Sequence, residues 1–323
     1  MHEFIDKYFK ALYSATKWEL SNLDRKIDTV FFGGGTPSVA KPKHYEKIFN
    51  LLDKYISKDC EITIEANPNS ASKEWLKEIY NLGVNRVSFG VQSFNDKKLN
   101  ALNRAHNSLQ AIRAVENAYN VGFKNISIDI IYDTYLDTFS LLEDDINLAF
   151  KLPINHISTY ELIQENLPWF KGDVKKNDDR FSFFVRDLIV SNGFKQYEVS
   201  NYGTYFCRHN IAYWQHKEYI GIGAGAVGFR KNYRYYPKSS IKAYIKDPIS
   251  HRKEYLSSED ILIEKIMLGL RSFVGVDLKI LPKNMQKRAF ILQKEDKVDI
   301  INGVIYAKEL FLADEISLFI IQN

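Results

Sequence analysis

Six short runs of β-branched and aromatic residues punctuate the first two thirds of the chain: Thr29 to Phe32, Glu61 to Glu65, Arg86 to Val91, Ile126 to Ile131, His156 to Leu162 and Gln196 to Val199. Their starts lie 25 to 40 residues apart, room for a strand, a crossover helix and two loops, so the pattern predicts successive parallel βα units. Between the second and third runs, Leu76, Ile79, Tyr80 and Leu82 recur at helical spacing ahead of Gly83, which predicts a helix with a glycine C-cap. The same spacing predicts helices over Leu109 to Ala118 and Leu141 to Phe150. Units of this kind close into a barrel or open into a doubly wound sheet, and in both cases ligands gather at the carboxyl ends of the strands.

After about residue 230 the pattern changes. Apolar positions Ile261, Leu262, Ile266, Met267 and Leu270 predict an amphipathic helix over Ser258 to Arg271, and another is expected near Pro282 to Gln293. Lys297 to Ile301 and Val304 to Leu312 flank Asn302-Gly303, a hairpin signal. The expectation is an α/β barrel-type domain over 1–230 and a small α+β, winged-helix-like domain over 231–323.

Composition narrows the function. With 45% hydrophobic residues the 323-residue chain has ample core material, while 44 basic against 40 acidic side chains, spread evenly, give no footprint for nucleic acid. No apolar run approaches the roughly 20 residues of a membrane span, which leaves only peripheral membrane contact open, and no export signal opens the sequence, so a cytoplasmic protein is expected. Two isolated cysteines, Cys60 and Cys207, supply neither a disulfide framework nor a four-ligand metal site.

Polar residues stand where strands end. Gly33-Gly34-Gly35-Thr36 follows the first run, and its lack of Cβ atoms lets backbone groups approach a ligand's ammonium or carboxylate; a turn needed only for chain geometry is the plainer alternative. Glu65 ends the second run, suited to ribose hydroxyls or an ammonium group, or to capping the next loop. Gln92 follows the third. Asp129 sits among Ile126, Ile128, Ile130 and Ile131, where an ionised carboxylate needs a partner, and Arg104 is either that partner or a fork for a ligand carboxylate. Arg208-His209-Asn210-Ile211-Ala212-Tyr213-Trp214 joins an imidazole, an amide and two large aromatics, fit for a planar ligand with His209 as an iron ligand, or else a core-capping cluster.

Nine stretches together resemble the radical S-adenosylmethionine superfamily, and within it the oxygen-independent coproporphyrinogen III oxidase group, most of all the HemW-type heme chaperones. They are VFFGGGTPS (30 to 38), ITIEANP (62 to 68), GVNRVSFGVQSF (83 to 94), LNRAH (102 to 106), SIDIIY (127 to 132), YEVSNY (197 to 202), RHNIAYW (208 to 214), YIGIGAGAVG (219 to 228) and EKIMLGLRSFVGV (264 to 276). The resemblance implies a partial (β/α) barrel with S-adenosylmethionine at its top. It implies Gly34, Gly35 and Thr36 as the cradle for the methionine end of that cofactor, and Glu65, Gln92, Arg104 and Asp129 as its polar contacts. It also associates His209, Asn210, Tyr213 and Trp214 with heme. The function implied is binding of heme and its delivery to heme-accepting proteins; oxidative decarboxylation of coproporphyrinogen III is the alternative, and a small-ligand barrel without radical chemistry a third.

One departure stands out. The family opens with an apolar strand and a CxxxCxxC loop whose thiolates hold a 4Fe-4S cluster, and this chain contains neither; its opening residues resemble the helix that follows that loop. The expectation is therefore a barrel lacking its first strand and without cluster-dependent activity, with enzymatic competence left open. A shortened gene product is favoured over a fragment or a variant that kept binding and lost catalysis, because removing a strand exposes apolar edges.

Overall fold

The computed structural model describes residues 2–163 and 176–322. In chain order the elements are α1 (His2–Ser21), β1 (Ile27–Phe32), α2 (Glu46–Leu52), β2 (Ile56–Ala66), α3 (Lys73–Asn81), β3 (Arg86–Gln92), α4 (Asp96–Ala101), α5 (Ser108–Val121), β4 (Asn125–Tyr132), α6 (Phe139–Ala149), β5 (His156–Glu161), α7 (Arg180–Ser191), β6 (Lys195–Gln196), β7 (Asn201–Gly203) and α8 (Arg208–Trp214). The remainder comprises β8 (Gly228–Arg230), β9 (Tyr233–Tyr236), α9 (Ile241–Lys246), β10 (Arg252–Tyr255), α10 (Ser258–Leu270), β11 (Val276–Asp277), α11 (Lys283–Lys294), β12 (Val298–Ile301), β13 (Val304–Ala307) and α12 (Ala313–Ile321). They form two units, one of residues 28–43 and 58–206, the other of residues 1–27, 44–57 and 207–323.

The first unit is built on a curled sheet of order β1-β2-β3-β4-β5-β7-β6. The pairs β2–β3, β3–β4 and β4–β5 are parallel. One face of these strands is apolar: Ile62, Ile64, Val87, Phe89, Val91, Ile126, Ile128, Ile130 and Ile157 are all buried. Helix α5 packs on β3 and β4, α3 packs on α5, and their buried Leu76, Ile79, Ala111, Ala114, Val115 and Ala118 complete that layer. Each buried Val, Ile, Leu or Phe contributes about 1.5–3 kcal/mol, and this layer holds the crossover helices in place. Caps fix where the helices begin: Ser72 Oγ accepts from the Trp75 N–H at 3.1 Å, and Asn107 and Gln110 form a reciprocal capping box. Gly83 takes φ +108° just past α3, as its expected C-cap role requires.

The sixth apolar run departs from the expectation. Rather than one strand beside β5, only its first residue, Gln196, lies in a strand, β6; the rest turns the chain into β7, which is antiparallel to both β5 and β6. A connection of only a few residues between Gln196 and Asn201 can reverse the chain but cannot cross over, so the returning segment pairs antiparallel. The Tyr197 N–H donates to the Asn201 carbonyl at 3.1 Å and closes that turn.

In the second unit, α10, α11 and α12 share one core with the sheet β11-β13-β12, through Ile266, Leu270, Val276, Met285, Leu292, Val298, Ile305 and Ile316. The hairpin β12–β13 turns on Asn302 (φ +52°) and Gly303 (φ +80°), the left-handed pair that Asn-Gly favours. A second sheet, β10-β9-β8, lies in the same unit, where α1 packs on α9 through Ala11, Ala15 and Tyr244. Residue 230 is the last of β8, which pairs with β9 beyond it. No described helix is long and apolar enough to cross a membrane.

The loops above β3 and β4 are joined by buried charge. The Lys98 ammonium on α4 lies 2.7 Å from Asp137 and 3.6 Å from Asp145 on α6, and all three side chains are buried. Asp145 also accepts from Ser93 Oγ and the Phe94 N–H, both at 2.7 Å. Burial pushes the Asp145 carboxyl above its ordinary range, against the lowering pull of Lys98. Lys98→Met strands two carboxylates and should cost about 3–5 kcal/mol in urea unfolding. A loss below about 1 kcal/mol would show that Lys98 is not what stabilises them.

Candidate functional site

Opposite the apolar layer, the same strands carry polar residues in rows. Register sets Thr63, Arg86 and Asn125 side by side, and above them Glu65, Ser88, Ser127 and His156. The row after that contains Asp129, Ser158 and Asn201. Because side chains alternate faces along a strand, each row projects to the face turned away from α3 and α5.

Glu65, near the end of β2, accepts a 3.0 Å hydrogen bond from the Gly34 N–H. Gly34 and Gly35 adopt φ +79° and +73°, and no atom lies within 4 Å of where a Cβ would stand on either. At Gly33 a Cβ would come within 2.5 Å of the Phe31 ring and 3.1 Å of the Glu65 carboxyl. The three glycines thus have different grounds: close packing at the first, left-handed backbone with open space above it at the others. Thr36 is exposed beside them. Burial raises the Glu65 carboxyl, countered by the Gly34 bond and by Arg86.

Gln92 ends β3, buried, at φ +67°, a conformation that costs a non-glycine residue energy and concentrates at ligand sites. It stands opposite Ile130, next along from Asp129. Asp129 accepts from Ser88 Oγ at 3.4 Å. Its carboxyl is raised to about 6, first by burial and then by Glu65, with Ser158, Arg86 and Ser88 pulling the other way. Arg104, beyond α4, is drawn to Asp129, while burial lowers its own value. Its Nε is buried without a hydrogen-bond partner. His106 anchors that loop, its Nε2 2.9 Å from the Val91 carbonyl. The structure therefore brings Gly34, Gly35, Glu65, Arg104 and Asp129 into one electrostatic neighbourhood, with Gln92 beside it by register.

Arg86, Ser88, Ser127, His156 and Ser158 belong to the same polar face and were not singled out from the sequence. Their signal is a period of two: Arg86-x-Ser88-x-Gly90-x-Gln92, Ser127-x-Asp129 and His156-x-Ser158. His156 is buried, with Nδ1 2.7 Å from Ser127 Oγ and Nε2 2.7 Å from the Tyr197 hydroxyl. Burial, helped by Arg86, holds its imidazole well below the ordinary value, so it is neutral and bridges the two hydroxyls.

In the other unit, α8 carries His209, Asn210, Tyr213 and Trp214, the first two and Trp214 half-buried and Tyr213 exposed. The His209 ring meets Tyr213 edge-on at 5.2 Å, and Tyr213 meets Tyr219 at 4.5 Å. Burial and then Tyr219 push the Tyr213 hydroxyl up to about 12. Trp214 Nε1 is buried without a hydrogen-bond partner. Following α8, His216 lies 2.9 Å from Glu264, which also pairs with Arg234; the sequence reading did not reach this trio.

Whether these residues suit the cofactors of the resembled family is a question of donor chemistry. An unpartnered guanidinium N–H, open space above two left-handed glycines and two carboxylates on the same polar face, one of which raises the other, match the carboxylate and the cationic centres of S-adenosylmethionine. A 4Fe-4S cluster does not fit the residues present. Cys60, inside β2, and Cys207 are both buried and belong to different units, and no group of metal-ligating side chains occurs among the described residues.

Asp129 leaves a mark on stability. Its folded value near 6 exceeds the ordinary 3.8, so the folded state holds the proton more tightly and stability falls as pH rises from about 4 to about 6. Asp129→Asn should remove that fall. At about pH 7 the ligand-free variant should be more stable by on the order of 2 kcal/mol in thermal unfolding, a figure discounted for partial exposure of the carboxyl. A less stable variant would mean that its partners outweigh desolvation.

Comparison with known proteins agrees with this geometry. Residues 18–148 match the Radical SAM superfamily. The chain is 33% identical over 290 residues to the heme chaperone HemW of Lactococcus lactis, covering 84% of this chain and 75% of that protein. It is 31% identical to the heme chaperone HemW of Bacillus subtilis, covering 85% and 78%. Among solved structures, coproporphyrinogen III oxidase (HemN) from Escherichia coli superimposes with a TM-score of 0.81 over 98% of this chain and 83% of that one, at 18% identity, a likeness of fold. The curled α/β sheet, its polar face and these relatives lead to one conclusion: the chain belongs to the HemW family of the radical S-adenosylmethionine superfamily.

Proposed function

We propose that this protein binds heme and hands it to heme-accepting proteins, and that it holds S-adenosylmethionine on the polar face of β1–β4. The observation carrying the first part is the identity of 30–33% to three proteins named heme chaperone HemW, over most of this chain. The imidazole and aromatic rings of α8 support it: His209 supplies a ligand for heme iron, and Tyr213 and Trp214 offer flat apolar area to the macrocycle. Asn210 supplies an amide donor at the same turn. Decarboxylation of coproporphyrinogen III is the reading less favoured, since it rests on a structural likeness at 18% identity.

For S-adenosylmethionine, the open backbone at Gly34, Gly35 and Thr36 would receive the methionine end, with the Gly34 N–H already holding Glu65 in place. Arg104 would take its carboxylate in a fork, and Glu65 and Asp129 would face the ammonium and sulfonium. Gln92 would provide an amide to the nucleoside. When bound, the cofactor contributes a sulfonium cation, a charge that two partly desolvated carboxylates stabilise.

His209→Ala should weaken heme binding by at least about tenfold in a Soret absorbance titration, with circular dichroism unchanged. Unchanged affinity would remove His209 from the heme site. Conversion of coproporphyrinogen III to a vinyl product would overturn the chaperone reading.

A further inference from the structure

Arg86 opens β3 with 2% of its surface exposed, and its Nε finds no hydrogen-bond partner. A guanidinium cannot shed its charge near neutral pH, and burying it costs several kcal/mol unless opposite charge offsets the loss of water. The offset lies along the polar face. Arg86 stands in register with Thr63 and Asn125, one step before the row that holds Glu65 and two before Asp129. Its charge lowers both carboxyls and acts against protonation of His156. Nothing in the assigned contacts to S-adenosylmethionine uses it.

We propose that Arg86 is the built-in counter-cation of the cofactor site, a positioning residue that keeps Glu65 and Asp129 ionised together and so presents a dianionic pair to the cationic end of S-adenosylmethionine. The inference rests on the reading of this face as the cofactor site. Glu65 and Asp129 share one face, and Glu65 already raises the Asp129 carboxyl; without a nearby cation one of the two retains a proton at neutral pH and loses its attraction for a cation. Arg104 cannot fill the role alone, because it is the group offered to the ligand's own carboxylate. With Arg86 and Arg104 positive and both carboxylates negative, these four charges balance before ligand arrives. The charged and titratable groups around Asp129 come from every neighbouring element. They are Glu65 from β2, Arg86 from β3, Arg104 beyond α4, His156 and Tyr160 from β5, and Glu198 ahead of β7. Of these cations only Arg86 is both interior and uncommitted to ligand.

The test is calorimetric titration of the full chain with S-adenosylmethionine between about pH 6 and about pH 7.2, a range that spans the protonation of a raised carboxyl and lies below the titration of the ligand's own α-amino group. Wild type should change affinity by less than about threefold across that range, whereas Arg86→Met should bind about tenfold more weakly at the acid end than at the alkaline end. Arg86→Lys, which keeps the charge, should follow wild type. 5′-Methylthioadenosine, which has neither ammonium nor sulfonium, should show no such slope with any variant. If Arg86→Met does not fold, Arg86→Gln takes its place with the same expectation. A loss equal at every pH, or the same profile as wild type, would overturn the role given to Arg86. Failure of wild type to bind S-adenosylmethionine at all would instead overturn the cofactor site itself.

Discussion

Charge held on one face of a sheet whose other face is apolar is the constraint on which this molecule turns. Parallel strands with a period of two send Ile64, Val87, Phe89, Ile126 and Ile128 toward the helices, and this necessarily sends Glu65, Arg86, Ser88, Ser127 and Asp129 to the opposite side. A slip of one residue in any strand would exchange the two sets, burying carboxylates under α5 and exposing isoleucines. The packing that stabilises the fold therefore also fixes the register of the site. Neither can be altered without the other.

The polar face in turn governs itself electrostatically. Asp129, Glu65, Arg86 and Arg104 are each unfavourable alone in a partly desolvated setting; together they offset one another. The residue cost is visible in the raised carboxyls and in two guanidinium Nε atoms left without partners. A surface left under-satisfied in this way is what the proposed zwitterionic ligand, with its carboxylate and cationic centres, would complete. The neutral His156 bridge between Ser127 and Tyr197 continues the network toward β7 without adding charge.

Much of this was legible in the sequence. The strands at Thr29, Arg86, Ile126 and His156, the helices after Ser72 and Asn107, and the Asn302-Gly303 turn all follow from periodicity and cap chemistry. Glu65 and Asp129 were conspicuous because a carboxylate ends or interrupts an apolar run. Arg86 was not, because an arginine at the start of a strand reads as a solvated flank until register places it beside its neighbours. The antiparallel β7 was hidden for a related reason: strand pairing depends on connection length and tertiary contacts, while the run itself carries only β propensity. His216 and Glu264 are 48 residues apart and only folding joins them.

The central claim is that the polar ends of β1–β4 form a site for S-adenosylmethionine. A crystal structure of the chain soaked with S-adenosylhomocysteine tests it most directly. The account requires the ligand's carboxylate at Arg104 and its ammonium at Glu65 and Asp129, with its methionine end over Gly34 and Gly35. Ligand density elsewhere, with those side chains left to solvent, would contradict it.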